Sequence, residues 1–441
     1  MSAFVHPDEI RSRFSAALSA MYRAEVPQYG DLLTLVADIN AQTLKTDAAG
    51  AERLAASGEL GRLSQERHGA IRVGTADELA TIGRAFAVMG MAPVSYYNLA
   101  PAGVPVHSTA FRPVDPAALA RNPFRVFTSL LRLELIEDAD LRQEAAEALS
   151  RRDIFTPAAR DLIQAAETAG GLDAEQADRF VAELLETFRW HAQATVSADT
   201  YARLVAAHRL IADVVSFKGP HINHLTPRTL DIDAAQAAMP ERGIAPKETI
   251  EGPPARACPI LLRQTSFKAL EEPIAFPSGD AVVSGVHTAR FGEIEQRGCA
   301  LTPAGRALYD AALSSSDFSA LPDDWTALRR EGLAWFRYRA TPQGLAAHAR
   351  TSDLEALIDL GQVAAEPITY EDFLPVSAAG IFQSNLGAEA RASAYAADPA
   401  RADFEQALGM AVQDEMALYQ AEQDASIAAT LKALGVSDAA A

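Results

Sequence analysis

Cysteine is almost missing from this 441-residue chain, where Cys258 and Cys299 stand alone. Two thiols cannot build a disulfide framework for a chain of this size, so a reducing cytoplasm is the expected compartment. A surplus of positive charge is missing as well. With 39 Lys and Arg against 58 Asp and Glu the formal charge is -19, which excludes a nucleic-acid backbone as partner because phosphate binding draws on a basic surface. Any anionic substrate must then be met by locally placed arginines. No run of about eighteen apolar residues occurs, which predicts no membrane-spanning helix. The start, Met1 to Glu9, lacks a basic region followed by an apolar stretch, which predicts no secretory signal. Glycine-rich phosphate loops are missing too.

What is present is ordinary globular composition, 49% hydrophobic and 22% charged, enough for a sizeable core without staples. The organising feature is an internal repeat. Arg67-His68-Gly69-Ala70-Ile71-Arg72-Val73 sets a histidine at the mouth of a short β-type run. A helix-like segment, Met89-Gly90-Met91-Ala92-Pro93, and a β-like segment ending His107-Ser108-Thr109-Ala110-Phe111-Arg112 follow it. His221-Ile222-Asn223-His224-Leu225-Thr226-Pro227-Arg228 opens a similar series, through Arg242-Gly243-Ile244-Ala245-Pro246 to Arg263-Gln264-Thr265-Ser266-Phe267-Lys268. His68 to Phe111 and His224 to Phe267 are both 43 residues apart.

Around the repeat the chain divides into five parts. Residues 1–64 read as an N-terminal helical layer, since Ile10, Phe14, Leu18 and Met21 recur every three to four residues. Residues 65–114 form the first unit, its helix opened by the capping-box pattern Thr75-Ala76-Asp77-Glu78. Residues 115–215 are rich in Ala, Leu, Glu and Arg with no β signal. They read as a helical insertion that packs on the sheet without contributing chemistry. Residues 216–300 form the second unit, closed by the alternating stretch Phe291-Gly292-Glu293-Ile294-Glu295-Gln296-Arg297. Residues 301–441 hold further helices, a β-like stretch at 335–339, a loop from Pro375 to Asn385 and a helical end.

Two histidines from equivalent strands and a carboxylate from a terminal strand make a two-histidine, one-carboxylate donor set, suited to non-haem Fe(II) and also to Zn or Mn. The equivalence favours His68 and His224 as ligands. His221 lies three residues before His224 and faces the other way on a strand, so it takes a supporting role. Glu293 and Glu295 share a face, and geometry alone does not choose between them. Arg72, four residues after His68 on the same face, could hold a carboxylate in a bidentate fork. His107, His191, His208 and His287 read as packing or hydrogen-bonded residues, and neither cysteine has a partner base in evident spacing.

These residues resemble the vicinal oxygen chelate superfamily, whose βαβββ modules pair around one metal. Phe291 to Arg297 is similar to the element of hydroxyphenylpyruvate dioxygenase and hydroxymandelate synthase in which the first glutamate binds iron. That resemblance selects Glu293 and leaves Glu295 beside the ligands. Arg67 to Arg72, His221 to Arg228, Phe291 to Gly298 and Pro375 to Asn385 further resemble the 2-oxoadipate dioxygenase/decarboxylase family of bacterial lysine breakdown, over roughly residues 10 to 400. The resemblance implies an α+β fold, paired modules forming a curved sheet around Fe(II), with a helical insertion and helical termini. It implies that Arg72 grips the distal carboxylate of the substrate and that Val376 and Ser377 contact it. The reaction implied is that of 2-oxoadipate and O2 to 2-hydroxyglutarate and CO2. Two rivals remain: an oxygen-independent metal isomerase or lyase on the same scaffold, and a non-catalytic protein that binds a small acid.

Overall fold

The computed structural model describes residues 4–279, 281–347, 351–374 and 400–436. The first unit contributes β1 (Arg67–Val73), β2 (Ala92–Asn98), β3 (Val106–Arg112) and β4 (Arg125–Leu131). The second contributes β5 (His224–Pro227), β6 (Leu262–Ser266), the hairpin β7 (Glu271–Ser278) with β8 (Ala281–Thr288), and β9 (Phe291–Arg297). Among the described residues one curled sheet runs β2-β3-β4-β1-β5-β9-β6. In each half an inner strand pairs parallel with the last strand of its unit, β1 with β4 and β5 with β9. That last strand then pairs antiparallel with β3 or β6. The halves meet where β1 and β5 run antiparallel, His68 opposite Thr226 and Ala70 opposite His224.

The repeat holds down to single residues. Gly90 and Gly243 both turn at positive φ, 69° and 72°, a conformation that favours glycine. Two matched pairs of bridge partners follow, Pro93 with Phe111 and Pro246 with Phe267. Register also exposes a divergence. His68 lies opposite Arg125 and His224 opposite Phe291, so the position equivalent to Glu293 in the first half is Phe127.

The N-terminal helices α1 (Pro7–Glu25), α2 (Pro27–Thr46) and α3 (Ala48–Ala56) precede β1, and α4 (Ala76–Val88) starts at Thr75, whose hydroxyl accepts from the Glu78 amide. One face of the sheet, through Ile71, Val73, Val126, Leu130, Leu225 and Ile294, shares a core with α1, α2 and α4. Ala70 and Phe127, which alternate with these on β1 and β4 as the period of two requires, belong with Val106 and Ala110 of β3 and Leu262 of β6 to a second core on the opposite face. The first helices are therefore a packing layer.

α5 (Pro116–Arg121) leads into β4, and between the units come α6 (Ala139–Ser150), α7 (Pro157–Ala169), α8 (Ala174–Leu185), α9 (Ala198–Ala207) and α10 (Arg209–Val215). The reading of 115–215 as free of β structure fails at β4, which is buried throughout on both faces. A strand buried on both faces reads as an apolar run without alternation, which periodicity does not separate from a buried helix. After β5 comes α11 (Ile232–Ala238). Beyond β9 lie α12 (Pro303–Ser315), α13 (Trp325–Arg330), β10 (Phe336–Ala340), α14 (Pro342–Ala346), α15 (Leu354–Asp359), β11 (Val363–Pro367), α16 (Ala400–Leu408) and α17 (Glu415–Ala433). β10 and β11 pair as a separate ribbon. No described helix is long and apolar enough to cross a membrane.

Candidate metal centre

β1, β5 and β9 are adjacent, and on one face they present His68, His224 and Glu293, with candidate ligand atoms all within 4.8 Å of one another. His68 Nε2 lies 3.1 Å and His224 Nε2 3.9 Å from Glu293 Oε1. All three residues are buried. Position is imposed from behind by α1, where the Tyr22 hydroxyl lies 2.9 Å from the Asn223 carbonyl and 2.7 Å from that of Phe291. One buried hydroxyl thus ties the residue before His224 to the start of the strand that carries Glu293.

Glu293 is well supplied. Its Oε1 accepts from Gln264 Nε2 at 2.7 Å and from Thr226 Oγ1 at 3.1 Å. Burial works against its charge, but the proximity of His224 and the hydrogen bond to His68 outweigh it and lower its pKa. His68 is held from its other side, Nδ1 lying 2.9 Å from Glu295 Oε2. Burial opposes a charge on His68, yet Glu295 and Glu293 prevail and raise its pKa. Glu295 itself is held at about 2: burial would raise it, and Arg297 and His68 overcome that. Arg297 grips both Glu295 oxygens at 2.9 Å and donates to the Tyr370 and Asp372 carbonyls. A carboxylate on the far nitrogen of a ligand histidine fixes its tautomer and ring orientation.

His224 differs. Neither of its nitrogens, both buried, has a hydrogen-bond partner among the described residues, an arrangement that costs free energy unless something fills it. Burial pushes its pKa down to about 4, so at neutral pH the ring is uncharged and keeps a lone pair for a metal. Phe291 stacks on His224 at 4.8 Å and Phe373 meets His68 edge-on at 4.9 Å, closing the site with apolar walls. Orphaned imidazole nitrogens beside a fixed carboxylate fit a metal ion with two histidine ligands and one carboxylate.

Arg72 sits on the same face of β1 and its charge acts on His224. Its Nη1 donates to Asp213 Oδ2 at 2.7 Å. Asp213 comes from α10, so the insertion, expected only to pack on the sheet, also delivers a buried carboxylate to this arginine. His221, expected beside the ligands, lies with Nε2 3.1 Å from Asp213 Oδ1, and His287 Nε2 reaches the same oxygen at 3.0 Å. His221 therefore supports Arg72's partner, on the other side of Asn223. Val376 and Ser377 lie outside the described residues. Sequence reasoning missed Thr226, Gln264, Asp213 and Lys247, whose amine burial pushes down to about 8. Thr226 was legible as the same-face neighbour of His224. Asp213 carried no signal, being one acid in an acidic helical stretch.

Residues 14–385 match the profile of the 2-oxoadipate dioxygenase/decarboxylase family. The chain belongs to this family. It is 59% identical to the 2-oxoadipate dioxygenase/decarboxylase of Escherichia coli K12, over 97% of this chain and 98% of that protein. The match to the same-named Pseudomonas putida protein is 57%, covering 98% of each. The crystal structure of hydroxyglutarate synthase from Pseudomonas putida superposes with a TM-score of 0.89 at 53% identity, covering 99% of this chain and all of that one. The Pseudomonas putida synthase solved in complex with 2-oxoadipate superposes with the same TM-score at 55% identity and the same coverage. An enzyme of this dioxygenase/decarboxylase family, with its mixed α and β architecture, is what the resemblance of its motifs implied.

Proposed function

We propose that this chain converts 2-oxoadipate and O2 to 2-hydroxyglutarate and CO2, with Fe(II) held by His68, His224 and Glu293. The observation that carries the metal reading is His224, buried with both nitrogens unpartnered among the described residues, beside a carboxylate that Gln264 and Thr226 fix at Oε1. In such a donor set the bound metal supplies open positions for a 2-oxo acid and for O2. The protein's own groups do the rest. Glu295 holds His68, Thr226 and Gln264 hold Glu293, and Phe291 and Phe373 keep bulk water from the ligands. Arg72 pairs with the distal carboxylate and fixes the substrate's direction, a positioning effect. Val376 and Ser377 complete the substrate contacts in this proposal.

The stoichiometry closes without an external reductant. The C1–C2 bond breaks and CO2 leaves; one oxygen atom of O2 enters the new carboxylate and the other the hydroxyl on the adjacent carbon. The oxo acid supplies all the electrons. A cytoplasmic location and a place in lysine breakdown belong to the same proposal. With Fe(II) and 2-oxoadipate, an oxygen electrode should record consumption matched one to one by CO2 release. Turnover that persists without oxygen would instead favour the isomerase or lyase reading.

A further inference from the structure

A second buried cluster lies beside the metal centre, built from Asp213 of α10, His287 of β8 and His221 ahead of β5. Its residue types alone match a metal-ligand set. Its hydrogen bonding points elsewhere. The two oxygens of Asp213 face four donor groups: His221 Nε2 at 3.1 Å, His287 Nε2 at 3.0 Å, Arg72 Nη1 at 2.7 Å and Asn223 Nδ2 at 3.3 Å. A carboxylate so supplied is already satisfied as an anion. Both imidazoles are in turn fixed. Tyr201 of α9 meets His287 Nδ1 at 2.8 Å, Trp190 lies flat against His287 at 5.9 Å, and its edge contact with His221 is 4.7 Å. Arg290 caps the Trp190 ring at 4.7 Å. Asp213 is thus an anchor set in a rigid aromatic box, and the group it anchors is the Arg72 guanidinium.

We propose that Asp213 is the positioning residue that sets how far the Arg72 guanidinium stands from the metal centre, and so selects the chain length of the 2-oxo dicarboxylic acid. The inference deepens, and rests on, the reading of Arg72 as partner of the distal carboxylate. Arg72 is rooted four residues from His68 on one strand, about 13 Å along it. A long side chain on that root sweeps far more than one methylene, so the backbone alone leaves the distance to the second carboxylate unspecified. The 2.7 Å contact to a carboxylate held by His221, His287 and Asn223 removes that freedom.

Removing Asp213 deletes an anchor and also a negative charge facing Arg72, so affinity for a dianion mixes two effects. The five-, six- and seven-carbon 2-oxo dicarboxylates carry the same charge, and the ratio of their kcat/KM values isolates position. In Asp213→Asn, loaded with metal, the preference for the six-carbon acid over its homologues should fall by about tenfold, the scale of one methylene in a specificity site. Preference for a dicarboxylic over a monocarboxylic six-carbon 2-oxo acid should persist. Asp213→Glu keeps the charge but moves the anchor, and should shift the preferred length toward a homologue; it also serves where the amide variant fails to fold. An unchanged length profile in either folded variant overturns the inference. Arg72→Ala separates it from the reading beneath: if that variant keeps the dicarboxylate preference, both fall. If Arg72→Ala loses the preference while the Asp213 variants keep their length profile, the inference alone falls. A second metal equivalent per chain, lost in Asp213→Asn, would also overturn it.

Discussion

Two buried clusters of histidine and carboxylate lie side by side in this protein, and they are opposites in what they lack. Around Asp213 every carboxylate oxygen is met by donors, and His287 is engaged at both nitrogens. Around Glu293 the donors from the strands converge on one oxygen, Oε1, and among the described residues His224 has no hydrogen-bond partner at either nitrogen. Residue type and spacing do not distinguish a metal site from a hydrogen-bonded anchor. An imidazole unpartnered at both nitrogens, as His224 is while His221 lacks a partner only at Nδ1, does, because a buried polar atom left alone costs about 1–3 kcal/mol and is retained where a ligand relieves it.

The sharpest way to break this contrast is to remove the orphan. His224→Ala should lose metal from the purified protein and lower turnover by about a thousandfold or more, measured as metal per chain and O2 uptake. Retained metal would move the centre elsewhere. A smaller effect is expected from Glu295→Gln, which weakens the hold on His68 without removing a ligand. Metal affinity should drop about 10- to 100-fold, with activity recovered in excess metal. Unaltered affinity would mean that Glu295 does not orient His68. Smaller again is Asp213→Asn, which should keep one metal per chain while its chain-length preference falls by about tenfold.

Donor supply also orders the buried carboxylates by charge, and Glu415 marks the far end. It receives Ser95 Oγ at 2.7 Å, while burial and the charge of Asp372 push its pKa up to about 7. Because that lies above the ordinary value of 4.5, the folded chain keeps a proton that the unfolded chain releases. The resulting stability is complete below about pH 4.5 and is lost as pH rises through 7. Glu415→Gln should flatten this dependence and gain roughly 1–3 kcal/mol above pH 8, read from denaturant unfolding at a series of pH values. A parallel pair of stability curves would show that Glu415 is charged in the fold.

Much of this was legible because it was written twice. The histidine at each strand mouth, the glycine turns at 90 and 243 and the proline-phenylalanine pairings recur at one spacing, so each half vouches for the other. β4 escaped because a strand covered on both faces loses its alternation, although Asn122-Pro123 ahead of Val126-Phe127-Thr128 was a usable cue. Asp213 escaped for a deeper reason: it has no counterpart in a repeat, and its role exists only once α10 is laid beside β1. The supporting role of His221 was argued from strand alternation, although the strand begins only at His224, so alternation did not apply three residues earlier.

The exchange of Glu293 for Phe127 at matched positions records a division of labour between twins. One half contributes a single imidazole and a greasy ring; the other contributes an imidazole and the anion. In the proposed ligand set neither half supplies all three donors, so the set is complete only at the seam, after both have docked. If the proposed ligands hold the metal, loading would report that both halves have docked, and a nascent chain stopped before residue 293 would lack the carboxylate ligand.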